Sequence, residues 1–231
     1  MRTETKVISG ILIFTVLIIF AGILFVKNNF QNNSNSDLSK YIEADLNLDK
    51  SKISRDYNPK ITGTGTTTAT TTIHITEFLD YECPACATNG EIITKGLIEK
   101  YGSNIIITRK IFPVHGQVSI DIAALVLASQ ALGNEVYQNI HHKVFETFST
   151  WSILGKKDRE DFLKKLITDA GYDYEKILAE SKNPKYLTQI NQDKQDAIDL
   201  GIKATPSFII ENNTRITGGL PIEEFDKYIA K

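Results

Sequence analysis

The sequence predicts an α/β domain, a small mixed sheet with helices on its faces, in the order βαβ, a helical block, then ββα. Three observations carry this. "TTTIHITEFL", Thr70–Leu79, is rich in β-branched residues and alternates so that Ile73, Ile75 and Glu77 share one face. A helical pattern from Pro84 to Tyr101 ends at Gly102, and "NIIITRKIF", Asn104–Phe112, follows as a continuous apolar run expected to be buried on both faces. Strand, helix and strand together make a βαβ unit with an expected right-handed crossover.

The remaining elements follow in order. Val118 to Leu200 reads as helical throughout: "VSIDIAALVLASQAL" is nearly all apolar, and "NEVYQNIHHKVFETF", "DREDFLKKLITDAG" and "DYEKILAES" are amphipathic with short polar breaks. One more helix has Pro184 near its start and Gly201 just past its end. "TPSFII" and "TRITGG" flank "ENN", a hairpin signature in which Asn212-Asn213-Thr214 reads as a turn rather than a glycosylation site. "PIEEFDKYIAK" closes the chain as a helix opened by Pro221. Trp151 is expected to pack within the helical block.

The N-terminus differs in kind. Val7–Val26, "VISGILIFTVLIIFAGILFV", holds no charge over twenty residues, about the ~20 needed to span a bilayer as a helix. A cleaved signal has a shorter apolar core and a small-x-small site, which "AGILFVKNN" lacks, so a retained anchor over residues 1–26 is the favoured reading. Arg2 and Lys6 precede the span, which places the N-terminus in the cytoplasm and the rest outside. Residues 27–65 are rich in Asn, Ser, Asp and Lys and read as a polar linker with at most a short helix near Leu38–Leu48. The folded domain is expected over 66–231, with its helical insertion at about 117–200. A net charge of −2 in 231 residues and the lack of a basic block give no sign of a nucleic-acid partner.

The two cysteines of the chain are Cys83 and Cys86, in "ECPAC". Cys83 falls at the helix N-cap and Pro84 at the first helical position, so unpaired N–H groups and the positive dipole end face the Cys83 sulfur and favour its thiolate. Cys86 lies about one turn on, within disulfide reach. Three readings stand: a redox pair, half of a metal site, or a structural disulfide. Zinc would need two further ligands, with only four histidines available and no second cysteine pair. A disulfide closing so short a loop would constrain the unfolded chain little. Thiol–disulfide exchange fits the setting best.

"EFLDYECPACA", "ATPSFII" about 120 residues later, and a helical block between βαβ and ββα halves resemble the DsbA-like branch of the thioredoxin superfamily, over roughly Ile61–Lys231. The resemblance implies a thioredoxin-like fold with an inserted helical domain, in a membrane-anchored protein thiol–disulfide oxidoreductase. It implies that Cys83 is the exposed nucleophile and Cys86 the shielded resolver. Pro206 matches the family's cis-proline facing the dithiol, and Thr205 is the residue before it that tunes redox behaviour. Glu77, six positions before Cys83, matches a buried acid that relays the proton of Cys86.

No bound cofactor is implied. The implied substrates are cysteine-containing exported proteins, and reoxidation would come from a membrane partner of DsbB or VKOR type. A reductase or isomerase of the same fold, a non-catalytic binding or chaperone module, and a dithiol metal carrier are the rivals. One departure matters: Ala85 stands where strongly oxidising relatives often carry a histidine, so a less oxidising pair is expected. Asp80 and Glu82 are expected to be solvated. His115 is expected to be structural, and His141 and His142 to point to different sides of a helix, one at the surface and one half-buried.

Overall fold

The computed structural model describes residues 38–64 and 72–229. The chain divides into two units, residues 1–40 and 41–231, and the architecture below is that of the second. Among the described residues no helix is long and apolar enough to cross a membrane; the expected anchor, Val7–Val26, lies outside them.

Among the described residues six strands form one mixed sheet: β1 (Ile42–Glu43), β2 (Lys60–Thr62), β3 (Ile73–Leu79), β4 (Ile105–Ile111), β5 (Ser207–Ile210) and β6 (Thr214–Thr217), in the spatial order β1-β6-β5-β3-β4-β2. Of these six strands only β3 and β4 pair in parallel; their register places Ile75 beside Ile107 and Glu77 beside Arg109. Both are central and almost fully buried, and in β4 this includes the polar residues Thr108, Arg109 and Lys110, which interrupt its apolar run. The β5–β6 hairpin turns through Glu211 and Asn212, both with positive φ (47° and 65°). Asparagine tolerates that conformation. Glu211 is held there by two bonds to the start of β3: its N–H donates to His74 O at 2.9 Å, and its carboxylate accepts from His74 N at 2.7 Å.

The helix after β3 begins at Pro84, passes through a π-helical segment, Cys86–Gly90, and continues as α1 (Glu91–Tyr101). The helical block comprises α2 (Gln117–Ala128), α3 (Asn134–Glu146), α4 (Lys156–Asp169), α5 (Tyr174–Ser181) and α6 (Pro184–Asp199); α7 (Ile222–Ile229) closes the domain. One core joins Leu79, Tyr81 and both cysteines to Val126, Ile140, Phe145 and Trp151 of the block. Trp151 is fully buried, and its indole donates to Val144 O at 2.7 Å. A second core lies around Phe78, Phe112 and Ile209. The dithiol therefore sits where β3 runs out against the helical block.

The reading of residues 27–65 as a linker needs correction for 42–62. β1 extends the sheet beyond β6 and β2 pairs with β4, so this segment supplies both sheet edges. Between them a helical turn, Lys50–Ile53, is capped by Asp49, and Ile53 and Ile61 are buried. Polar contacts add to the docking. Arg55 donates through Nε and Nη2 to the Asp196 carboxylate, both at 2.7 Å, and Asn58 Nδ2 donates to Asp193 at 3.0 Å. Lys110 Nζ, wholly buried, reaches Asp196 at 2.6 Å, Asp193 at 3.3 Å and Lys52 O at 2.9 Å. A composition low in apolar residues conceals such docking, because its polar anchors are an ion pair and hydrogen bonds with α6 and a hydrogen bond from Lys110 of β4.

Candidate active site

The strand-to-helix turn Asp80–Cys83 delivers the first cysteine to the helix N-terminus. Cys83 N donates to Asp80 O at 3.1 Å, while Cys83 O accepts from Cys86 N (3.1 Å) and Ala87 N (3.2 Å), the first bonds of the helix. The geometry matches the expected N-cap. Across from it, the Thr205–Pro206 peptide is cis and brings Thr205 O within 3.2 Å of Cys83 Sγ, which donates to it. Both thiols are free.

The two cysteines differ less in exposure than the resemblance implies. Cys83 is 5 % exposed and Cys86 1 %, so Cys83 is recessed rather than open. Their chemistry differs more. A hydrogen bond from the Cys86 thiol lowers the Cys83 pKa most; burial opposes this, and the Thr205 hydroxyl and the N–H groups of Cys86 and Ala85 reinforce it, leaving the thiol at about 6. The Thr205 hydroxyl is buried and has no other hydrogen-bond partner among the described residues, so its proton can turn to a thiolate. Burial, then the neighbouring Cys83, pushes Cys86 well above its ordinary range. One sulfur is ionised near neutrality and the other holds its proton, as stepwise exchange requires.

Glu77 lies on β3, 1 % exposed, and its charge acts on Cys86. Its Oε2 accepts from Arg109 Nε and Thr94 Oγ1, both at 3.3 Å. Burial raises its pKa, Arg109 pulls it back and Glu91 raises it again, leaving it at about 7. Gly90 leaves little room here: a Cβ at that position would stand 3.2 Å from Glu77 Oε1, so the carboxylate would have to give by a few tenths of an ångström, and would make ordinary contact with the Pro206 ring at 3.6 Å. The π-helical segment Cys86–Gly90 thus ends where helix, acid and proline meet, a setting in which such segments recur.

The supporting groups escaped the sequence reading. Arg109, on the strand beside Glu77, also donates to Gln138 Oε1 at 2.9 Å and approaches Glu91 Oε1 at 3.5 Å. The polar run "TRK" inside an otherwise apolar strand was the available signal. His141 and His142 do not diverge: both meet the Glu91 carboxylate, His141 through Nε2 at 2.7 Å, and His141 Nδ1 pairs with Tyr81 OH at 2.8 Å. His141 is fully buried; burial and Arg109 hold its pKa down at about 3. Donor atoms of Glu91, His141 and His142 lie within 4.8 Å of one another. Each is already hydrogen-bonded, and the Arg109 guanidinium beside Glu91 opposes a cation there.

Asp80 is a further correction. It is fully buried, not solvated, and its carboxylate accepts from Glu82 N (2.8 Å), Val114 N (2.7 Å), His115 N (3.0 Å), His115 Nδ1 (2.7 Å) and Ser119 Oγ. Glu82 is half-buried, and burial followed by Asp80 raises its pKa. A short acid before the motif looks like surface in sequence because all its donors but Glu82 N come from a loop and a helix more than thirty residues away.

The sequence model of the thioredoxin family matches residues 59–231. No curated protein matches the chain. Among solved structures, a thioredoxin-like oxidoreductase from Silicibacter pomeroyi is similar with a TM-score of 0.64 and 20 % identity, covering 79 % of this chain and 96 % of that one. The thiol-disulfide exchange protein alpha-DsbA2 from Wolbachia pipientis has a TM-score of 0.64 and 23 % identity, covering 86 % of this chain and 95 % of its own. Oxidised BdbD from Bacillus subtilis has a TM-score of 0.59 and 20 % identity, covering 77 % and 93 %. At these identities the likeness establishes the fold.

Proposed function

Because the chain belongs to the thioredoxin family, we propose that it is an extracytoplasmic protein thiol–disulfide oxidoreductase that donates its Cys83–Cys86 disulfide to exported proteins. The observation that carries this is the asymmetry of the pair: Cys83 lowered to about 6 at a helix N-terminus facing Thr205 O, and Cys86 raised behind it. A substrate thiolate attacks Cys83 Sγ of the oxidised enzyme. A bond forms between the substrate sulfur and Cys83, the Cys83–Cys86 bond breaks, and Cys86 leaves as a thiolate. Its raised pKa draws a proton, which Glu77, poised at about 7, supplies. A second substrate thiolate then attacks the substrate sulfur of the mixed disulfide and expels the Cys83 thiolate. The substrate has lost two electrons and the enzyme has gained them.

The flanking features support placement outside the cytoplasm. Val7–Val26 is long and apolar enough to hold the domain at a membrane. A membrane partner of DsbB or VKOR type would return the pair to its disulfide. The similar structures include a periplasmic thioredoxin-like protein from Salmonella enterica serovar Typhimurium. Ala85 contributes no charge to Cys83, which favours a moderate oxidant. The deciding measurement is the Cys83–Cys86 reduction potential against glutathione, with the redox state of the pair in cells. A mostly oxidised pair with a potential above the thioredoxin range supports an oxidase; a reduced pair near that range replaces it with a reductase. Trapping tests the chemistry itself: Cys86→Ala should accumulate mixed disulfides on Cys83, and an empty trap would remove the enzyme reading.

A further inference from the structure

The turn that carries Cys83 places two carboxylates, Asp80 and Glu82, within three residues of a sulfur that must become an anion. Like charges at such range disfavour the thiolate. Asp80 bonds to Cys83 through its own backbone, Cys83 N to Asp80 O at 3.1 Å, and its buried side chain is held in a clamp formed by Val114, His115 and Ser119. The single imidazole of this clamp is His115. It is bonded at both backbone N and ring Nδ1 to the same carboxylate oxygen, and its side chain remains 43 % exposed.

We propose that His115 is a positioning residue for the nucleophile: as an imidazolium fixed by Asp80, it balances the carboxylates of the turn and thereby favours the Cys83 thiolate. This rests on the assignment of Cys83 as nucleophile. The groups facing His115 are Asp80 from the end of β3, and Glu82 and Cys83 from the turn; Arg159 of α4 answers Glu82 from the block. Burial pushes the imidazole down, but the hydrogen bond and charge of Asp80, followed by the charges of Cys83 and Glu82, outweigh it, and its pKa stands raised. The coupling between His115 and Cys83 is reciprocal: a thiolate that favours the imidazolium is favoured by it to the same degree. Reduction of the disulfide, which creates the thiolate, is then accompanied by proton uptake at His115.

Two measurements test this on the full chain. In the wild-type protein, the His115 imidazole is titrated by NMR in the reduced and the oxidised state. The midpoint is expected to be higher in the reduced state, where the Cys83 charge exists; equal midpoints would overturn the proposal. In the second, the pH profile of iodoacetamide alkylation at Cys83 is read by peptide mass. His115→Gln is expected to move the profile upward by about half a unit to one unit, and His115→Lys, which keeps the charge, to return most of it. An unchanged profile in His115→Gln also overturns it. Alkylation reads sulfur acidity whichever way electrons flow, so a reductase outcome for the proposed function leaves this test intact. Preferential modification of Cys86 would instead show that the nucleophile assignment had failed.

Discussion

Glu77 and Arg109 face each other as Cα partners across β3 and β4, and Arg109 Nε donates to Glu77 Oε2 at 3.3 Å inside a fully buried site. The pair is not a simple salt bridge. Burial, with Glu91 drawing on the same guanidinium, leaves the Glu77 carboxyl at about 7, so at neutral pH it can either hold or release a proton. That is the property a proton donor to Cys86 needs.

Glu77 leaves a signature in the pH dependence of stability. Its folded pKa, about 7, exceeds its ordinary value of 4.5, so between these values the native state binds more protons than the unfolded state. Its contribution to stability is therefore lost as pH rises from about 4.5 through 7. Glu77→Gln should flatten that fall, so that its stability relative to wild type improves by roughly 1–3 kcal/mol between pH 5 and 8. Urea titrations at both pH values measure this, and parallel pH profiles would contradict it.

Cys83 has the opposite sign. Lowered to about 6 from 9.0, it gives the reduced protein stability that is fully present above about 9 and is lost as pH falls through 6. Reduced wild type should gain on the order of 1–3 kcal/mol relative to Cys83→Ser as pH rises from 6 to 9. Thermal melts of both reduced proteins across that range provide the check.

Lys110 is a third case, where geometry alone decides. Its ammonium is buried between Asp193 and Asp196. Lys110→Met keeps the volume but leaves two buried carboxylates short of their cation, and should cost about 3–5 kcal/mol. Replacing Lys165, in an exposed pair with Asp169, should cost less than about 0.5 kcal/mol. Denaturant midpoints of the two variants should separate clearly.

Truncation tests the role of residues 42–62. A chain starting at Tyr41 keeps every described strand and should melt like the full chain. A chain starting at Thr66 loses β1, β2, Arg55 and Asn58, exposes the edges of β4 and β6, and should melt at least 10 °C lower or aggregate. Equal melting of the two would return the segment to the status of a spacer.

The chain's local patterns specified much of this protein. Alternation and apolar runs marked β3 and β4, Gly and Pro marked the helix ends and the hairpin, and Pro84 after Cys83 set the sulfur at a helix N-terminus. These are consequences of neighbours a few residues apart, and the chain alone carries them. Tertiary structure decided everything that depends on which distant groups share a buried volume. Asp80 is buried rather than solvated because Val114, His115 and Ser119 bring it donors. His141 and His142 converge because Glu91, on another helix, accepts from both. Residues 42–62 join the sheet because Asp193 and Asp196 receive Arg55 and Asn58. A polar residue reads as surface until its partner is known, since burial of a charge costs several kcal/mol unless a partner compensates. Only the folded chain supplies that partner.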